Sequence, residues 1–334
     1  MSSAQVPAVQ VPTVQAPTVQ VIGAGAWGTA LALQALKAGA QVRLWARDPT
    51  RAAAMAQSRA NPHLPGVALP PALAVSSVWA PADIVLLAMP AQALRRLAPT
   101  LPPGILVACC KGVEAGSHLL PLEVLAQIHP GRAAAVLTGP NFAAEIARGL
   151  PAAAVVAATD PALREAVMTA LATPDFRLYG NADPIGAQVG GAAKNVVAIA
   201  AGAVIGAGLG ENARAALVTR GVAELARLAV ALGGQAETVA GLSGVGDLLL
   251  TCTGAGSRNF SFGLALGQGR GVAEILAGRE SVTEGVATAP ALVARAHAVG
   301  VELPIAAAVA GVVEGRISVA AAIHQLLARP LRDE

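Results

Sequence analysis

Apolar and polar positions follow two rhythms along this chain, and the change between them divides it. Val19 to Ile22 reads as a short buried strand. The hexamer Gly23-Ala-Gly-Ala-Trp-Gly28 follows, then an Ala/Leu helix from Thr29 to Ala38 that stops at Gly39. Gln41 to Trp45 is the next strand. Further strand-like runs lie at Ile84 to Ala88, Ile105 to Cys109, Ala134 to Leu137 and Ala153 to Ala157. Helical stretches between them include Ala91 to Leu97, Leu119 to Ile128 and Phe142 to Arg148. This alternation predicts a parallel sheet with helices on both faces. From about Ile185 the strand signal fades, and Ala/Leu/Val helices take over at Ala213 to Leu232, Ala287 to Ala298 and Val319 to Leu327. A domain boundary is expected near residue 187: an α/β domain over 18–187, then an all-helical domain over 188–330. Ahead of both lies a near-repeat with proline at every fifth position, Pro7, Pro12 and Pro17. Proline at that spacing blocks helix and disfavours interior strand, so 1–17 reads as an extended tail.

Composition narrows the class. Hydrophobic residues make up 54% and charged residues 13%, which supplies a packed core and excludes a mainly disordered chain. Aromatics are only 2%, so Ala, Val and Leu must build that core. A mean hydropathy of +0.59 raises the question of membrane spans. The apolar runs are cut by Gly, Pro or charge before the roughly 20 residues a span needs. Val196 to Leu209 comes nearest and reads as a buried helix. The first 36 residues carry no charged side chain, and they lack the basic start and compact apolar core of a signal peptide. Cys109, Cys110 and Cys252 form neither a disulfide framework nor a metal motif, which fits a reducing cytoplasm. The net charge of +3 comes from scattered basic residues, so no nucleic-acid stripe is present.

Only three of the 23 basic residues are lysines: Lys37, Lys111 and Lys194. Where arginine serves every generic need for positive charge, a surviving lysine points to a task that requires losing a proton. Lys37 has a simpler reading, as a cation suited to a helix C-terminus.

Gly23-x-Gly25-x-x-Gly28 sits between a strand and a helix, as a dinucleotide fingerprint must. The first glycine permits the turn, the second lets the backbone approach a pyrophosphate, and the third allows helix and strand to pack closely. At the end of the second strand, Arg47 is placed to hold a 2′-phosphate, which leans toward NADPH, while Asp48 leaves NADH open. A solvated surface charge is the alternative for Arg47.

Cys109-Cys110-Lys111-Gly112 follows a strand, where open parallel sheets present their ligand crevice. Gly191-Ala-Ala-Lys194-Asn195 opens a long apolar helix, and desolvation there would bring Lys194 toward proton exchange at ordinary pH. The alternative is a lysine paired with a carboxylate at the domain seam. Gly244-Val-Gly-Asp247 and then Ser257-Arg258-Asn259 combine backbone amides, a hydroxyl, a guanidinium and an amide, a set suited to phosphate. A glycine-rich loop with a surface arginine is the plainer reading.

With these blocks in view, the chain resembles bacterial NAD(P)-dependent glycerol-3-phosphate dehydrogenases. The matching blocks are GAGAWGTALA (23–32), CCKGVE (109–114), TGPNFAAEIARGLP (138–151), GGAAKNVVAIAAG (190–202), NARAALVTRGVAE (212–224), GVGDLLLTCTGAGSRNFSFG (244–263) and VTEGVAT (282–288). The resemblance implies a Rossmann-type sheet domain followed by an all-α domain, and reversible reduction of dihydroxyacetone phosphate to sn-glycerol 3-phosphate for phospholipid synthesis. It implies NADPH or NADH as cofactor, no metal, a cytoplasmic location and a homodimer. It makes Lys194 the proton donor. Lys111, Gly139, Asn141, Asp247, Ser257, Arg258 and Asn259 would contact substrate. Gly23, Gly25, Ala26, Trp27, Gly28, Arg47, Lys111, Ala143, Arg258, Val282 and Glu284 would hold the dinucleotide. Two departures stand out: Asn141 where the family commonly has Ser or Thr, and Ala193 where a larger aliphatic precedes the lysine. Two rival readings are a Lys-dependent 3-hydroxy-acid reductase and a non-catalytic NAD(P)H sensor. The Ser257-Arg258-Asn259 block argues against the first, and the joint presence of Lys111, Lys194 and Asp247 against the second.

Overall fold

The structure, a computed structural model, describes residues 15–254, 256–279 and 283–329. Residues 1–14 of the proline-rich segment, and Val282, lie outside the described residues. Eight strands form one sheet: β1 (Thr18–Ile22), β2 (Gln41–Trp45), β3 (Ala74–Ser76), β4 (Ile84–Leu87), β5 (Ile105–Ala108), β6 (Ala134–Thr138), β7 (Ala152–Ala157) and β8 (Phe176–Asn181), in the order β3-β2-β1-β4-β5-β6-β7-β8. The helices among them are α1 (Ala26–Lys37), α2 (Pro49–Ser58), α3 (Leu94–Leu97), α4 (Pro121–Ile128), α5 (Ala143–Ala147) and α6 (Pro161–Leu171). Strand order reverses between β1 and β4, the place where open α/β sheets bind ligands at their strand C-termini.

The sheet is apolar on both faces, as covered strands require. In β4, Ile84 and Leu86 pack into one cluster with Leu31 of α1 and Val167 of α6. Val85 and Leu87 pack into the other with Leu94 of α3 and Val124 of α4. The sheet is not wholly parallel, however: β7 runs antiparallel to β6, with Leu137 opposite Val156. Apolar alternation identifies a strand but not its direction. The segment from Gly139 to Pro151 holds only the short α5, which lies against α1, so the chain doubles back into the neighbouring strand instead of crossing over.

Beyond β8 no further strand follows among the described residues. The chain continues as α7 (Pro184–Gly206), α8 (Gly210–Ala231), α9 (Ala236–Ala240), α10 (Asp247–Cys252), α11 (Arg258–Gly267), α12 (Val272–Ala277), α13 (Glu284–Ala298), α14 (Pro304–Val313) and α15 (Val319–Leu327). A π-helical turn, Leu242–Gly246, leads into α10. The axis of this region is α7, packed on α8, α10, α11 and α13. It is the one described helix long and apolar enough to cross a membrane, and 83% of its most apolar window is buried inside the protein.

Helices α7 and α11 approach so closely that side chains would separate them. A Cβ at Gly263 would lie 1.9 Å from the Ile199 carbonyl oxygen, and one at Gly202 would lie 2.1 Å from that of Phe260. This seam locks together the helix that carries Lys194 and the helix that begins at Arg258.

Candidate active site

The glycine loop joins β1 to α1. Gly23 has φ +118°, and a Cβ there would sit 2.8 Å from the Ala88 carbonyl oxygen, so the turn and its contact with β4 both need glycine. A Cβ at Gly28 would lie 1.9 Å from the Gly23 carbonyl oxygen. Gly25 faces open space and is the N-cap of α1, with no side chain satisfying the helix's first N–H groups. Ala26 and Trp27 begin that helix, and the Trp27 indole donates to the Cys109 carbonyl at 3.2 Å. This tie joins the loops after β1 and β5. Ala143 opens α5, which lies on α1.

Arg47 stands exposed just past β2. Its neighbour Asp48 is committed elsewhere: it caps α2, accepting from Thr50 N at 2.8 Å and Arg51 N at 3.2 Å. Arg51, which the sequence reading did not single out, donates to the Ala24 carbonyl of the glycine loop at 2.5 Å and to Asn61 Oδ1 at 3.2 Å. No local pattern brings residue 51 to residue 24; the parallel pairing of β1 with β2 sets the two strand ends side by side.

On the other side of the crevice, Glu284 is the first residue of α13. Burial pushes its carboxyl up to about 7, against the pull of Arg258, and its Oε2 is buried without a partner. A helix N-terminus with free amides, a glycine cradle and an orphaned carboxyl oxygen are the features a bound dinucleotide would engage. The residues present fit that group.

The reacting centre is built on Asp247, at the start of α10 and fully buried. Lys194 Nζ donates to its Oδ1 and Lys111 Nζ to its Oδ2. Lys111 comes from the loop after β5 and also donates to the Gly139 carbonyl at 3.1 Å. Lys194 comes from the middle of α7 and also donates to Thr251 Oγ1 at 3.1 Å. The lysine side chains are only 15% and 11% exposed. Burial lowers the Lys194 pKa to about 8; Asp247 resists the drop and Lys111 adds to it. The pairing with a seam carboxylate and the lowered pKa therefore coexist. Thr251 was missed in the sequence, although it lies one turn beyond Asp247 on α10, the i+4 position that shares its face.

Around this centre are polar atoms without partners. Thr138 Oγ1, at the end of β6, is one; a Cβ on Gly191 would sit 2.8 Å from it. Asn141 donates to the Ala153 carbonyl at 3.2 Å, which leaves its Oδ1 buried and free. Gly139, with φ +141°, carries the carbonyl that holds Lys111. Ala193 is fully buried behind Lys194.

The Ser257-Arg258-Asn259 block forms the first turn of α11. Ser257 is its N-cap, accepting from Phe260 N at 3.2 Å. Arg258 projects an exposed side chain from that turn. Asn259 is nearly buried: its amide nitrogen donates to Asn195 Oδ1 at 2.8 Å, and its oxygen accepts from Gly285 N at 3.0 Å. It thus joins α11 to α7 and α13. Lys37 ends α1 and pairs with Asp175 at 2.6 Å, far along the fold from this centre.

Two family models, for the N-terminal and C-terminal parts of NAD-dependent glycerol-3-phosphate dehydrogenase, match residues 18–164 and 183–324. The chain belongs to this family. Named glycerol-3-phosphate dehydrogenase (NAD(P)+), a protein from Acidiphilium cryptum is 62% identical over 252 residues, 75% of this chain and 78% of the relative. One from Sphingopyxis alaskensis is 49% identical over 320 residues, 94% of this chain and 97% of the relative. A crystal structure of glycerol-3-phosphate dehydrogenase from Coxiella burnetii superposes with TM-score 0.87 at 34% identity, covering 94% of this chain and 99% of that one. Membership agrees with the site: a family defined by an NAD-dependent reaction has here a glycine-cradled helix N-terminus and two lysines, one buried and one half-buried, on one carboxylate.

Proposed function

We propose that this protein catalyses the reversible NAD(P)-dependent reduction of dihydroxyacetone phosphate to sn-glycerol 3-phosphate, feeding glycerophospholipid synthesis. The observation that carries this reading is the pair of lysines held on one buried carboxylate, Asp247, between the dinucleotide loop and the Arg258 turn. When bound, the nicotinamide supplies or accepts the hydride. Lys194 Nζ gives its proton to the carbonyl oxygen of the ketone as negative charge develops there, and takes it back in the reverse direction. Lys111 contributes a second positive charge beside the same oxygen. Asp247 orients both ammonium groups and offsets their repulsion. Arg258, with Ser257 and Asn259, binds the phosphate end; Asn141 Oδ1 accepts from the substrate hydroxyl. Arg47 engages a 2′-phosphate, so NADPH is used in preference to NADH. Residues 18–187 act as the dinucleotide domain and 188–330 as the substrate domain, in a cytoplasmic homodimer.

The test is direct. Purified protein is mixed with dihydroxyacetone phosphate and either NADPH or NADH, and loss of the reduced-nicotinamide absorbance is followed. Oxidation with NADPH faster than with NADH is the expected result. No oxidation with either would overturn the reading.

A further inference from the structure

We propose that Arg279 is a positioning residue for the substrate phosphate, fixing the first turn of α11 from outside so that Arg258 is presented in one orientation. This rests on the reading of Arg258 as the phosphate ligand. The first turn of a helix is its least secured part, since its leading N–H groups have no partners within the helix. Here the turn is held from three directions. Ser257 caps it from within. Asn259 ties it to α7 and α13. The third tie is Arg279, beyond the end of α12. One guanidinium nitrogen donates to the Arg258 carbonyl at 2.8 Å and the other to Ser261 Oγ at 3.0 Å. The guanidinium carbon stands 5.6 Å over the ring of Phe262, which is itself fully buried. Ser261 Oγ donates to the same Arg258 carbonyl at 3.1 Å, closing a small network on the residue that carries the exposed cation.

A planar fork that engages two acceptors and stacks on a buried ring fixes direction as well as distance. A second positive charge is also brought near Arg258, and burial together with Arg258 lowers the proton affinity of Arg279. A bound dianion would relieve that repulsion. Arg279 thus acts on the phosphate through Arg258 and has no contact with the lysine centre.

The experiment compares the full chain with Arg279→Ala, Arg279→Lys, Ser261→Ala and Arg258→Ala. It reads steady-state kinetics and, without cofactor, the calorimetric Kd of inorganic phosphate. Arg279→Ala is expected to raise KM for dihydroxyacetone phosphate and the phosphate Kd together by about tenfold, the scale of one or two lost hydrogen bonds. Its kcat should stay within about twofold, because the lysine centre does not rest on that turn. Arg279→Lys, which keeps the charge but not the fork, should recover only part of the loss. Ser261→Ala should move both constants the same way by less. Arg279→Ala added to Arg258→Ala should have no further effect. A phosphate Kd unchanged by Arg279→Ala, where Arg258→Ala raises it, overturns the proposal alone. So does full rescue by Arg279→Lys, which would make the role one of charge. If Arg258→Ala leaves the phosphate Kd unchanged, the reading of Arg258 fails and this one with it. Should Arg279→Ala not fold, Arg279→Lys and Ser261→Ala decide: wild-type constants in both overturn the proposal.

Discussion

At the scale of single residues, the chemistry depends on how Lys194 is held. Its pKa of about 8 means that it is charged below that pH and neutral above it. A proton donor must be charged, so the rate of ketone reduction should fall as pH rises through about 8. Oxidation of glycerol 3-phosphate needs the neutral amine and should rise over the same range. The neighbours move that midpoint in opposite directions. Asp247 favours the charged form, so Asp247→Asn should shift the falling limb to lower pH. Lys111 disfavours it, so Lys111→Met should shift the limb to higher pH. Shifts of the same sign in both variants would exclude Lys194 as the group that titrates. Lys194→Ala should reduce turnover by about 100-fold or more, the usual contribution of a general acid, while NADPH binding followed by fluorescence persists. Turnover within a few-fold of wild type would assign the proton elsewhere. The lysine count drew attention to Lys111 and Lys194, but counting has no access to Asp247 as their common partner. That link spans 53 residues on one side and 136 on the other.

At the scale of elements, two contacts decide how the helices are arranged. The first is the glycine seam. Gly263→Ala would place a methyl group within 1.9 Å of the Ile199 carbonyl oxygen. The helices must part to admit it, so a loss of about 2–4 kcal/mol is expected, read from urea unfolding. Activity should fall as well, because the seam sets Lys194 against Arg258. The second contact is Glu224 of α8, which accepts from Ile305 N at 2.8 Å and Ala306 N at 3.4 Å at the start of α14. Burial pushes its pKa up to about 7, with those amides and the charges of Arg227 and Arg329 pulling the other way. A carboxyl raised in the folded state stabilises fully below its unfolded pKa, and that contribution is lost as pH rises through about 7. Between pH 5 and 8 the parent should therefore lose roughly 1–3 kcal/mol relative to Glu224→Gln, a difference thermal unfolding at the two pH values would register. Parallel pH profiles for the two proteins would refute it. Neither contact is visible in a local pattern: glycines are common throughout this chain, and Glu224 looks like an ordinary helix carboxylate.

Element identity was largely legible, for a physical reason. Strands buried on both faces read as apolar runs, so β4, β5, β6 and β7 stand out within a residue or so of their ends, and the apolar positions of β1 and β2, interrupted by Gln20 and Arg43, mark those two as closely. The two edge strands, β3 and β8, have one neighbour each and mixed burial, and no apolar run marks them. The reversal of β7 was likewise hidden, because alternation carries no sense of direction.

At the scale of the whole molecule, the site lies where the sheet region meets the helical region, and ties such as Lys111 to Asp247 and Arg295 to Glu123 cross that meeting line. Assembly into a homodimer would double the 33.0 kDa mass of the chain, which light scattering of the purified protein measures directly. The sequence by itself determined the burial pattern of the strands, the glycine turn before α1, and the residue types available for proton and phosphate chemistry. These are local properties, set by side-chain spacing and backbone freedom. Tertiary structure decided which of them meet. It put one carboxylate between two lysines and left Glu284 and Asn141 with buried, unpartnered oxygens. Such outcomes depend on close approach between distant segments and on the loss of water around them, and neither quantity is written in any single stretch of the chain.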